Sequence, residues 1–315
     1  MNGNSRKKVL IDCDPGTDDV MAILSVLAHP EKIEVLGITT VAGNNTIGKV
    51  TKNICNVLSF LKRSDIKIAK GADCGLVYPV EPQSVHGKTG LDGFTFPKST
   101  IKPVDIDAVE FLHQKIVAST SKVTILSLAP LTNIALLIKA HPEVKKKIDQ
   151  IIMMGGSMFS GNILPRSEFN IFADPHAAKI VPSSGINIVM CPLEACKDGY
   201  LTMQDIKELN KKDRIHTIVY GLLKYYAEFY RRRNMKHIIL YDSATIMYLL
   251  HPEIYEGYSC TCDIVLEDNQ TRGMTIIDPA LRSNVKVLVK GNPTLFKKYL
   301  LQDIKLLKKK KKNDE

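Results

Sequence analysis

Four aspartates within eight residues near the start of the chain form its clearest candidate for chemistry. They follow the apolar run Val9-Leu-Ile and lie in the segment Asp12-Cys-Asp14-Pro-Gly-Thr-Asp18-Asp19. Carboxylates this close together repel one another unless a positive group lies among them. Because hard divalent cations such as Ca²⁺ prefer oxygen ligands, the segment predicts a cation site.

The residues around the aspartates predict how they are positioned. The apolar run before Asp12 indicates a strand, Pro15-Gly16 indicates a tight turn, and the apolar residues from Val20 indicate a helix that begins near Asp18. In an open α/β sheet such a junction lies at the carboxyl ends of the strands, where ligands bind. Capping of the helix is the alternative interpretation for one or two of the aspartates, but it does not account for all four.

The alternation of strands and helices continues along the chain. Further predicted strands span residues 33–40, 66–69, 123–128, 151–154 and 186–191, with shorter ones at 260–266, 274–277 and 285–289. The predicted helices span residues 46–61, 105–119, 131–139, 174–181 and 213–234, and another opens at Asp242. This pattern predicts an α/β fold with one domain, residues 1–307, built on a mostly parallel, doubly wound, Rossmann-like sheet flanked by helices.

Composition limits the classes of partner. Half of the formal net charge of +10 comes from the run Lys308–Lys312, and we expect the segment 308–315 to be a solvated, disordered tail. The sequence has no motif that reads nucleic acid, no secretory segment and no apolar run that could span a bilayer, so we expect neither nucleic acid nor membrane as a specific partner. Seven irregularly spaced cysteines favour reduced thiols and a cytoplasmic location.

Polar side chains also follow the later strands, and the predicted sheet would bring them to one edge. They are Asn44, Asn162, Glu168, Asn170 and Asp242, together with the turn at Leu128. Carboxylates and amides in this number suit a polyol, whose neighbouring hydroxyls can replace waters on a calcium ion. The absence of G-x-x-x-x-G-K-[ST], and of G-x-G-x-x-G after the first strand, favours a sugar over a nucleotide phosphate.

These motifs resemble those of the nucleoside hydrolases, the inosine-uridine-preferring ribohydrolases. The resemblance covers almost the whole chain and rests on D-x-D-P-G-x-D-D at 12–19, G-N at 43–44, L-T-N at 131–133, M-G-G at 154–156, E-F-N at 168–170 and D-x-A at 242–244. It implies calcium-dependent hydrolysis of the N-glycosidic bond of purine or pyrimidine ribonucleosides, or both, to free base and ribose in nucleoside salvage. It also implies a homodimer or a homotetramer.

The resemblance further implies roles for single residues. Calcium would be bound by Asp14, which would also be the general base, by Asp19, by the main-chain carbonyl of Leu128 and by Asp242. The ribose hydroxyls would be bound by Asp18, Asn44, Asn162, Glu168 and Asn170. Met154 would pack under the sugar, and His86, Phe229 and Arg233 would surround the base. By pattern alone, Met154 is typical of a core and His86 of an exposed loop.

Tyr241 is the point at which the chain departs from the family pattern. Many members have His immediately before the helix-opening aspartate, where it can protonate or orient the departing base. A phenol donates a hydrogen bond, but its ordinary pKa near 10 makes it a weak acid at neutral pH. Tyr225, Tyr226, Phe229 and Tyr230 in the preceding helix either face the base or form a core stripe. Because the chain has no Trp, a purine cannot be held between two indoles.

Two other functions fit parts of the sequence. One is a metal-dependent phosphohydrolase of the haloacid-dehalogenase type, which also opens with D-x-D but has Thr or Val where this chain has Gly16, and which leaves Asp18 and Asp19 unexplained. The other is a calcium-dependent ribose or nucleoside binding protein without turnover, which the presence of Tyr241 suggests. Release of free ribose distinguishes the hydrolase from the binding protein.

Overall fold

Strands and helices alternate over most of the chain, as the sequence predicts. A computed structural model describes residues 6–267, 269–281 and 283–310. The strands are β1 (Lys7–Cys13), β2 (Ile33–Thr40), β3 (Ile68–Lys70), β4 (Val123–Ser127), β5 (Ile148–Met154), β6 (Ile188–Cys191), β7 (Tyr200–Thr202), β8 (His237–Ile239), β9 (Tyr255–Ile264), β10 (Thr275–Asp278) and β11 (Val285–Gly291).

Helices cover both faces of the sheet that most of these strands form. The α-helices are α1 (Thr17–Ala28), α2 (Ile47–Phe60), α3 (Ala108–Ala118), α4 (Thr132–Ala140), α5 (Phe169–Ala173), α6 (Pro175–Ile180), α7 (Leu193–Cys196), α8 (Met203–Glu208), α9 (Arg214–Arg231), α10 (Ser243–Leu250) and α11 (Pro293–Lys310). Short 3₁₀ helices span Pro142–Lys147, Pro182–Ser184 and Pro252–Ile254.

The central sheet has nine strands in the order β10-β9-β11-β6-β5-β4-β1-β2-β3. Strands β1 to β6 and β11 are parallel, whereas β9 pairs antiparallel with both β11 and the edge strand β10. The order 3-2-1-4-5-6 within it is that of a doubly wound sheet, and it reverses between β1 and β4. The predicted fold class is confirmed, and the expected ligand crevice lies at the carboxyl ends of β1 and β4.

Strand β1 shows how the core forms on both faces of the sheet. Val9 and Ile11 pack in the cluster that includes α1, α2 and α9, whereas Leu10 packs in the cluster that includes α3 and α4. All three side chains are fully buried, as expected for a central parallel strand covered by helices on both sides. The strand therefore ends at a rigid position, and the aspartates that follow it are held there.

The strands differ from the sequence prediction in two places, one in a separate two-stranded sheet and one in the central sheet. The small antiparallel pair β7 and β8 was not predicted, because each strand has only three residues, too few for a recognisable periodicity. The strand predicted at 260–266 is present as β9, but its bounds were wrong, since it has ten residues, begins at Tyr255 and ends at Ile264. Residues 256–259 are exposed where they pair with β11, and their polar sequence conceals the strand.

The C-terminal helix α11 extends into the predicted lysine-rich tail. It runs to Lys310 and so includes the first three residues of the segment 308–315. Residues 311–315 lie outside the described part of the chain, so the disorder of this tail stays a prediction. No helix among the described residues is long and apolar enough to cross a membrane.

Candidate active site

The acidic segment forms the connection from β1 to α1 at the reversal of strand order. Asp14 directly follows β1, and Asp18 and Asp19 lie in the first turn of α1. Asp19 accepts hydrogen bonds from the backbone N of Asp14 at 3.2 Å and of Gly16 at 2.9 Å, as a capping carboxylate does. Capping therefore accounts for the orientation of Asp19, but not for the other aspartates.

Asp12 has a structural environment that separates it from the rest of the segment. Its Oδ1 accepts hydrogen bonds from Thr39 Oγ1 at 2.6 Å and from Asn133 Nδ2 at 2.8 Å. Asn133 also donates to the carbonyl oxygen of Thr40 at 3.0 Å and accepts from the N–H of Ala72 at 3.0 Å. Burial raises the pKa of Asp12 to about 6, although both side-chain hydrogen bonds act in the opposite direction. Asp12 and Asn133 thus join β1, β2 and α4.

The remaining carboxylates converge on one point. One carboxylate oxygen from each of Asp18, Asp19 and Asp242 lies within 4.8 Å of the others. Asp242 precedes α10, yet its side chain makes no capping hydrogen bond. Asp14 Oδ2 accepts the backbone N–H of Asn44 at 2.6 Å, whereas the buried Oδ1 of Asp14 has no hydrogen-bond partner among the described residues.

The pKa values of these carboxylates fit a cation site. Burial, followed by repulsion from neighbouring aspartates, raises the pKa of Asp19 to about 7 and raises the pKa of Asp14 and Asp242 well above the usual range. A positive ion among them would oppose both effects. Every possible ligand atom in the cluster is an oxygen, so the group suits a hard divalent cation. The cluster of Asp18, Asp19 and Asp242 is thus the candidate for the metal site that the sequence predicts.

The arrangement can be compared with the four calcium ligands that the family resemblance implies. Asp19 and Asp242 lie in the cluster together with Asp18, for which the resemblance implies a ribose contact. Asp14 lies beside it, since Asn44 Nδ2 donates both to the Asp14 carbonyl oxygen at 3.2 Å and to Asp19 Oδ2 at 3.3 Å. The carbonyl oxygen of Leu128 accepts a hydrogen bond from Asn170 Nδ2 at 3.1 Å.

Most of the predicted site residues line a pocket of about 360 Å³ next to this cluster. Those lining it are Asp18, Asn44, His86, Leu128, Met154, Asn162, Glu168, Asn170, Phe229, Arg233, Tyr241 and Asp242. Pocket residues that the sequence did not single out are Gln83, Ser84, Val85, Ile163 and Met235, and Phe169 was noted only as the middle residue of the E-F-N motif. Their only signal was proximity to predicted site residues along the chain.

Backbone hydrogen bonds hold the polar residues on one wall of the pocket. Glu168 caps α5 and accepts the N–H groups of Gly156 at 3.1 Å, Asn170 at 2.9 Å and Ile171 at 3.2 Å. Burial nevertheless raises its pKa to about 7. Gly156 has a φ of +85°, a left-handed conformation that favours glycine at this turn. Asn162 is exposed, and its Oδ1 accepts the N–H of Phe169 at 2.9 Å.

His86 is buried, contrary to what its loop sequence alone suggests. Its Nδ1 accepts the backbone N–H of Thr17 at 3.2 Å, so in the neutral ring the proton is on Nε2. Nε2 lies 3.5 Å from Asp18 Oδ1, and the ring stacks on Tyr226 with 5.1 Å between centroids. Burial lowers the pKa of His86, although the negative charge of Asp18 acts to raise it. The ring therefore connects the α1 turn to helix α9.

Aromatic residues form another part of the pocket lining, which we call the aromatic wall. The hydroxyls of Tyr226 and Tyr230 lie 3.1 Å apart, and Tyr230 is also hydrogen-bonded to Tyr241. Burial raises the pKa of Tyr241 far above its usual range, so its hydroxyl keeps its proton. The Arg233 guanidinium lies 3.5 Å from the centre of the Phe229 ring.

The aromatic stripe of α9 is divided between pocket and surface. Tyr226, Phe229 and Tyr230 line the pocket, whereas Tyr225 has 38% of its area exposed. Tyr226 and Tyr230 are also part of the hydrophobic core. The core interpretation is therefore confirmed for Tyr226 and Tyr230, and contact with the base stays a prediction for the residues that line the pocket.

Comparison with known proteins agrees with this geometry. The family model of the inosine-uridine preferring nucleoside hydrolases matches residues 9–298. The pyrimidine-specific ribonucleoside hydrolase RihA of Shewanella baltica is 40% identical over 276 residues, which cover 86% of each chain. RihA of an Escherichia coli O81 strain is 38% identical over 274 residues, 86% of this chain and 88% of that one.

Solved structures give the same result. A plant nucleoside hydrolase, PpNRh1, is 31% identical with a TM-score of 0.89, covering 95% of this chain and 99% of its own. A purine-preferring ribonucleoside hydrolase from Gardnerella vaginalis is 27% identical, also with a TM-score of 0.89, covering 96% and 99%. With the family motifs assembled around one pocket, these similarities establish that the chain belongs to the inosine-uridine preferring nucleoside hydrolase family and is a nucleoside N-ribohydrolase.

Proposed function

We propose that the enzyme hydrolyses ribonucleosides in a calcium-dependent reaction and prefers pyrimidine nucleosides, as part of nucleoside salvage. The observation that carries the chemistry is the buried carboxylate cluster, of which Asp18 and Asp242 line the pocket, with one oxygen of nearby Asp14 left unpartnered among the described residues. The base preference is supported by relatives of 38% and 40% identity that are named pyrimidine-specific, whereas the purine-preferring enzyme is 27% identical.

Calcium would be held by the carboxylates of Asp14, Asp19 and Asp242 and by the carbonyl oxygen of Leu128. These groups supply only oxygen, and the raised pKa values of the carboxylates show that they need a counter-charge when ionised. When bound, the ion supplies positive charge that makes water more acidic and orients neighbouring hydroxyl groups. Asp18 belongs to the same cluster as Asp19 and Asp242 and also lines the pocket, where it would bind a ribose hydroxyl.

Asp14 is proposed as the general base. The N–H of Asn44 fixes Oδ2, so Oδ1 is the oxygen that can accept a proton from water. That water attacks the anomeric carbon, its proton passes to Asp14, and the bond from carbon to the base nitrogen breaks with its electron pair on the base. General bases contribute about 10²- to 10⁴-fold to rates of this kind.

The sugar would be bound by polar groups that the protein already holds in place. Asp18, Asn44, Glu168 and Asn170 line the pocket, and Asn162 lies at its edge. Although Glu168 accepts three backbone N–H groups, a carboxylate has lone pairs left for a ribose hydroxyl. Its charge and that of Asp18 favour the positive character that the sugar gains as the base leaves. Met154 would pack under the ring.

The departing base would meet the aromatic wall. Tyr241 is the proposed hydrogen-bond donor, since its hydroxyl stays protonated and Tyr230 and Tyr226 extend the chain of hydroxyls behind it. His86 contacts Asp18 through Nε2 and so positions a ribose ligand while its ring flanks the base. Phe229 offers an aromatic face at the rim, covered on one side by Arg233.

Free ribose and free base are the products to measure. Purified enzyme would be incubated with uridine, cytidine and inosine, each with calcium and with EGTA. We expect ribose from uridine and cytidine at higher kcat/KM than from inosine, and no ribose with EGTA until calcium is restored. Binding of nucleoside without ribose release would support a binding protein instead, and activity that survives EGTA would exclude the calcium site.

The remaining proposals concern the protein as a whole. We propose one catalytic domain, residues 1–307, a homodimer or homotetramer as in the family resemblance, and a cytoplasmic location. All seven cysteines are free in the structure, which agrees with a reducing compartment. Light scattering on the purified enzyme measures the oligomeric state directly.

A further inference from the structure

We propose a second metal site, distant from the pocket, in which His113, His141 and Glu143 bind a transition-metal ion such as Zn²⁺ and Glu110 supports His113. Glu110 and His113 lie three residues apart on α3. His141 follows the last residue of α4, and Glu143 lies in the 3₁₀ helix that begins at Pro142. The four side chains thus join α3 to the connection between α4 and this 3₁₀ helix.

The distances within this cluster approach those of a metal site. One carboxylate oxygen of Glu110 and one ring nitrogen of each histidine all lie within 4.8 Å of one another. Glu143 Oε1 lies 3.4 Å from His113 Nε2 and 3.6 Å from His141 Nδ1. Around a tetrahedral zinc ion with bonds of about 2.0–2.1 Å, neighbouring ligand atoms are about 3.3 Å apart. Glu143 already stands at nearly this separation from both rings.

The two histidines are held next to each other before any ion binds. Their rings stack in parallel with 3.8 Å between centroids and 11° between planes, and their side chains are 24% and 27% exposed. Because the lone pairs of parallel rings do not converge, each ring has to tilt about its Cβ–Cγ bond to bind one ion. The two rings are therefore already close together, but their nitrogens have to turn toward a common ion.

Glu110 lies on the other side of His113. Its Oε2 is 3.8 Å from His113 Nδ1, and this nitrogen has no hydrogen-bond partner among the described residues. Zinc-binding histidines generally give their second ring N–H to a carboxylate. Gln114 Nε2 donates to Glu110 Oε1 at 2.7 Å and so steadies the carboxylate. Because Glu143 lies at Nε2, Glu110 faces the other ring nitrogen of His113, where it would orient the ring and strengthen binding through its charge.

The chemistry of this cluster differs from that of the pocket. Two imidazoles with carboxylates suit zinc and its neighbours in the first transition series, whereas the all-oxygen cluster of the pocket suits calcium. Helix α4 begins beside the pocket, after Leu128, and the His cluster lies at its opposite end, nine residues away or about 14 Å. An ion there would cross-link α3 to the end of α4 and stabilise the fold without touching substrate.

Isothermal titration with ZnCl₂ on the calcium-saturated enzyme tests the proposal, because calcium occupies the pocket. We expect one zinc ion per chain for the native protein and at least about tenfold weaker binding after the double substitution His113→Ala and His141→Ala. Cys74→Ser is the matched control, since Cys74 is an exposed thiol that could bind zinc on its own. Zinc should also raise the Tm of the native protein but not that of the double variant.

Several results would overturn the proposal. They are the absence of zinc binding by the native protein, equal binding by the double variant, or loss of binding in Cys74→Ser. Single substitutions Glu110→Gln and Glu143→Gln should each weaken binding, and native affinity in both would show that the ligand set is wrong. Uridine hydrolysis in calcium should be unchanged by the double substitution, so this test does not depend on the calcium chemistry of the pocket.

Discussion

The backbone N–H of Asn44 donates a hydrogen bond of 2.6 Å to Oδ2 of Asp14, and the other oxygen of this carboxylate has no such partner among the described residues. Asn44 follows β2 and Asp14 follows the adjacent strand β1, so the contact joins two neighbouring strand ends. It fixes Oδ2 of the carboxylate and leaves Oδ1 buried and available to accept a proton. The catalytic proposal for Asp14 depends on this orientation.

Asp14→Asn should lower kcat for uridine by about 10²- to 10⁴-fold, because an amide cannot take up a proton from water. The amide can keep the bond from Asn44 if its oxygen takes the place of Oδ2. Removal of one of several crowded buried carboxylates should leave the Tm in EGTA equal to or higher than that of the native protein. Steady-state kinetics and thermal unfolding measure both quantities.

Asp12→Asn is the matched control for that substitution. It makes the same chemical change in the same segment, but Asp12 contacts Thr39 and Asn133 rather than the pocket. We expect a change in kcat of less than about tenfold, since an amide oxygen can still accept both hydrogen bonds. Comparable losses in the two variants would show that Asp14 has no special role.

Calcium removal should abolish activity and lower stability. Without the ion, the carboxylates of Asp14, Asp19 and Asp242 repel one another in a buried site. At a calcium concentration of about 100 times its Kd, binding to the folded state alone stabilises a protein by about 2.7 kcal/mol. Urea unfolding with EGTA and with stepwise added calcium measures this difference. An unfolding midpoint that does not depend on calcium would contradict the assigned site.

The site could be predicted from the sequence where its geometry is local. The segment from Asp12 to Asp19 combines a strand, a turn and a helix start, and each of these has its own pattern in the residue types. Asn44 follows β2, so the parallel sheet brings it to the same edge as Asp14. Asp242 instead follows β8 of the small antiparallel pair, so sheet topology does not place it, and the family resemblance is what indicated that it belongs to the site.

Other features depend on contacts that no local pattern shows. His86 lies in a polar loop without periodicity, and its burial results from the Thr17 N–H on one side and Tyr226 on the other. The separate roles of Asp12 and Asp14 depend in the same way on partners from other strands, Thr39 and Asn44. The hydroxyl chain behind Tyr241 requires the register of α9 against β8, which is too short to be recognised in the sequence.

Tyr241→Phe should reduce activity most for substrates whose leaving group requires a proton or a hydrogen bond. Loss of the hydroxyl should lower kcat/KM for uridine by about 10²-fold, but should have little effect on p-nitrophenyl riboside, whose leaving group needs no such help. Tyr241→His should shift the preference among bases more than it changes ribose inhibition.

Tyr225→Phe provides the control for the tyrosine substitution. Tyr225 lies on α9 beside the pocket residue Tyr226, but it is exposed. The Tyr225→Phe variant should keep the native kcat/KM for both uridine and the nitrophenyl riboside. An equal loss on uridine and on the nitrophenyl riboside in Tyr241→Phe would place Tyr241 away from the base and contradict its proposed role.

His29 and Asp303 join α1 to α11 and should make stability depend on pH. His29 Nε2 lies 2.8 Å from Asp303 Oδ1, and this hydrogen bond is the main cause that raises the pKa of His29 above its usual 6.5. Because the folded-state pKa is the higher one, the stabilisation is complete below about pH 6.5 and is lost as pH rises through the raised pKa. Asp303→Asn should therefore lower the free energy of unfolding by about 2 kcal/mol at pH 5.5, and by less at pH 9.

Glu31→Gln is the matched control for Asp303→Asn. Glu31 is exposed and lies 3.1 Å from the other ring nitrogen, His29 Nδ1, so its effect should be smaller. Urea unfolding of the three proteins at both pH values measures these differences, and a loss for Asp303→Asn that is the same at pH 5.5 and pH 9 would exclude His29 as the titrating partner.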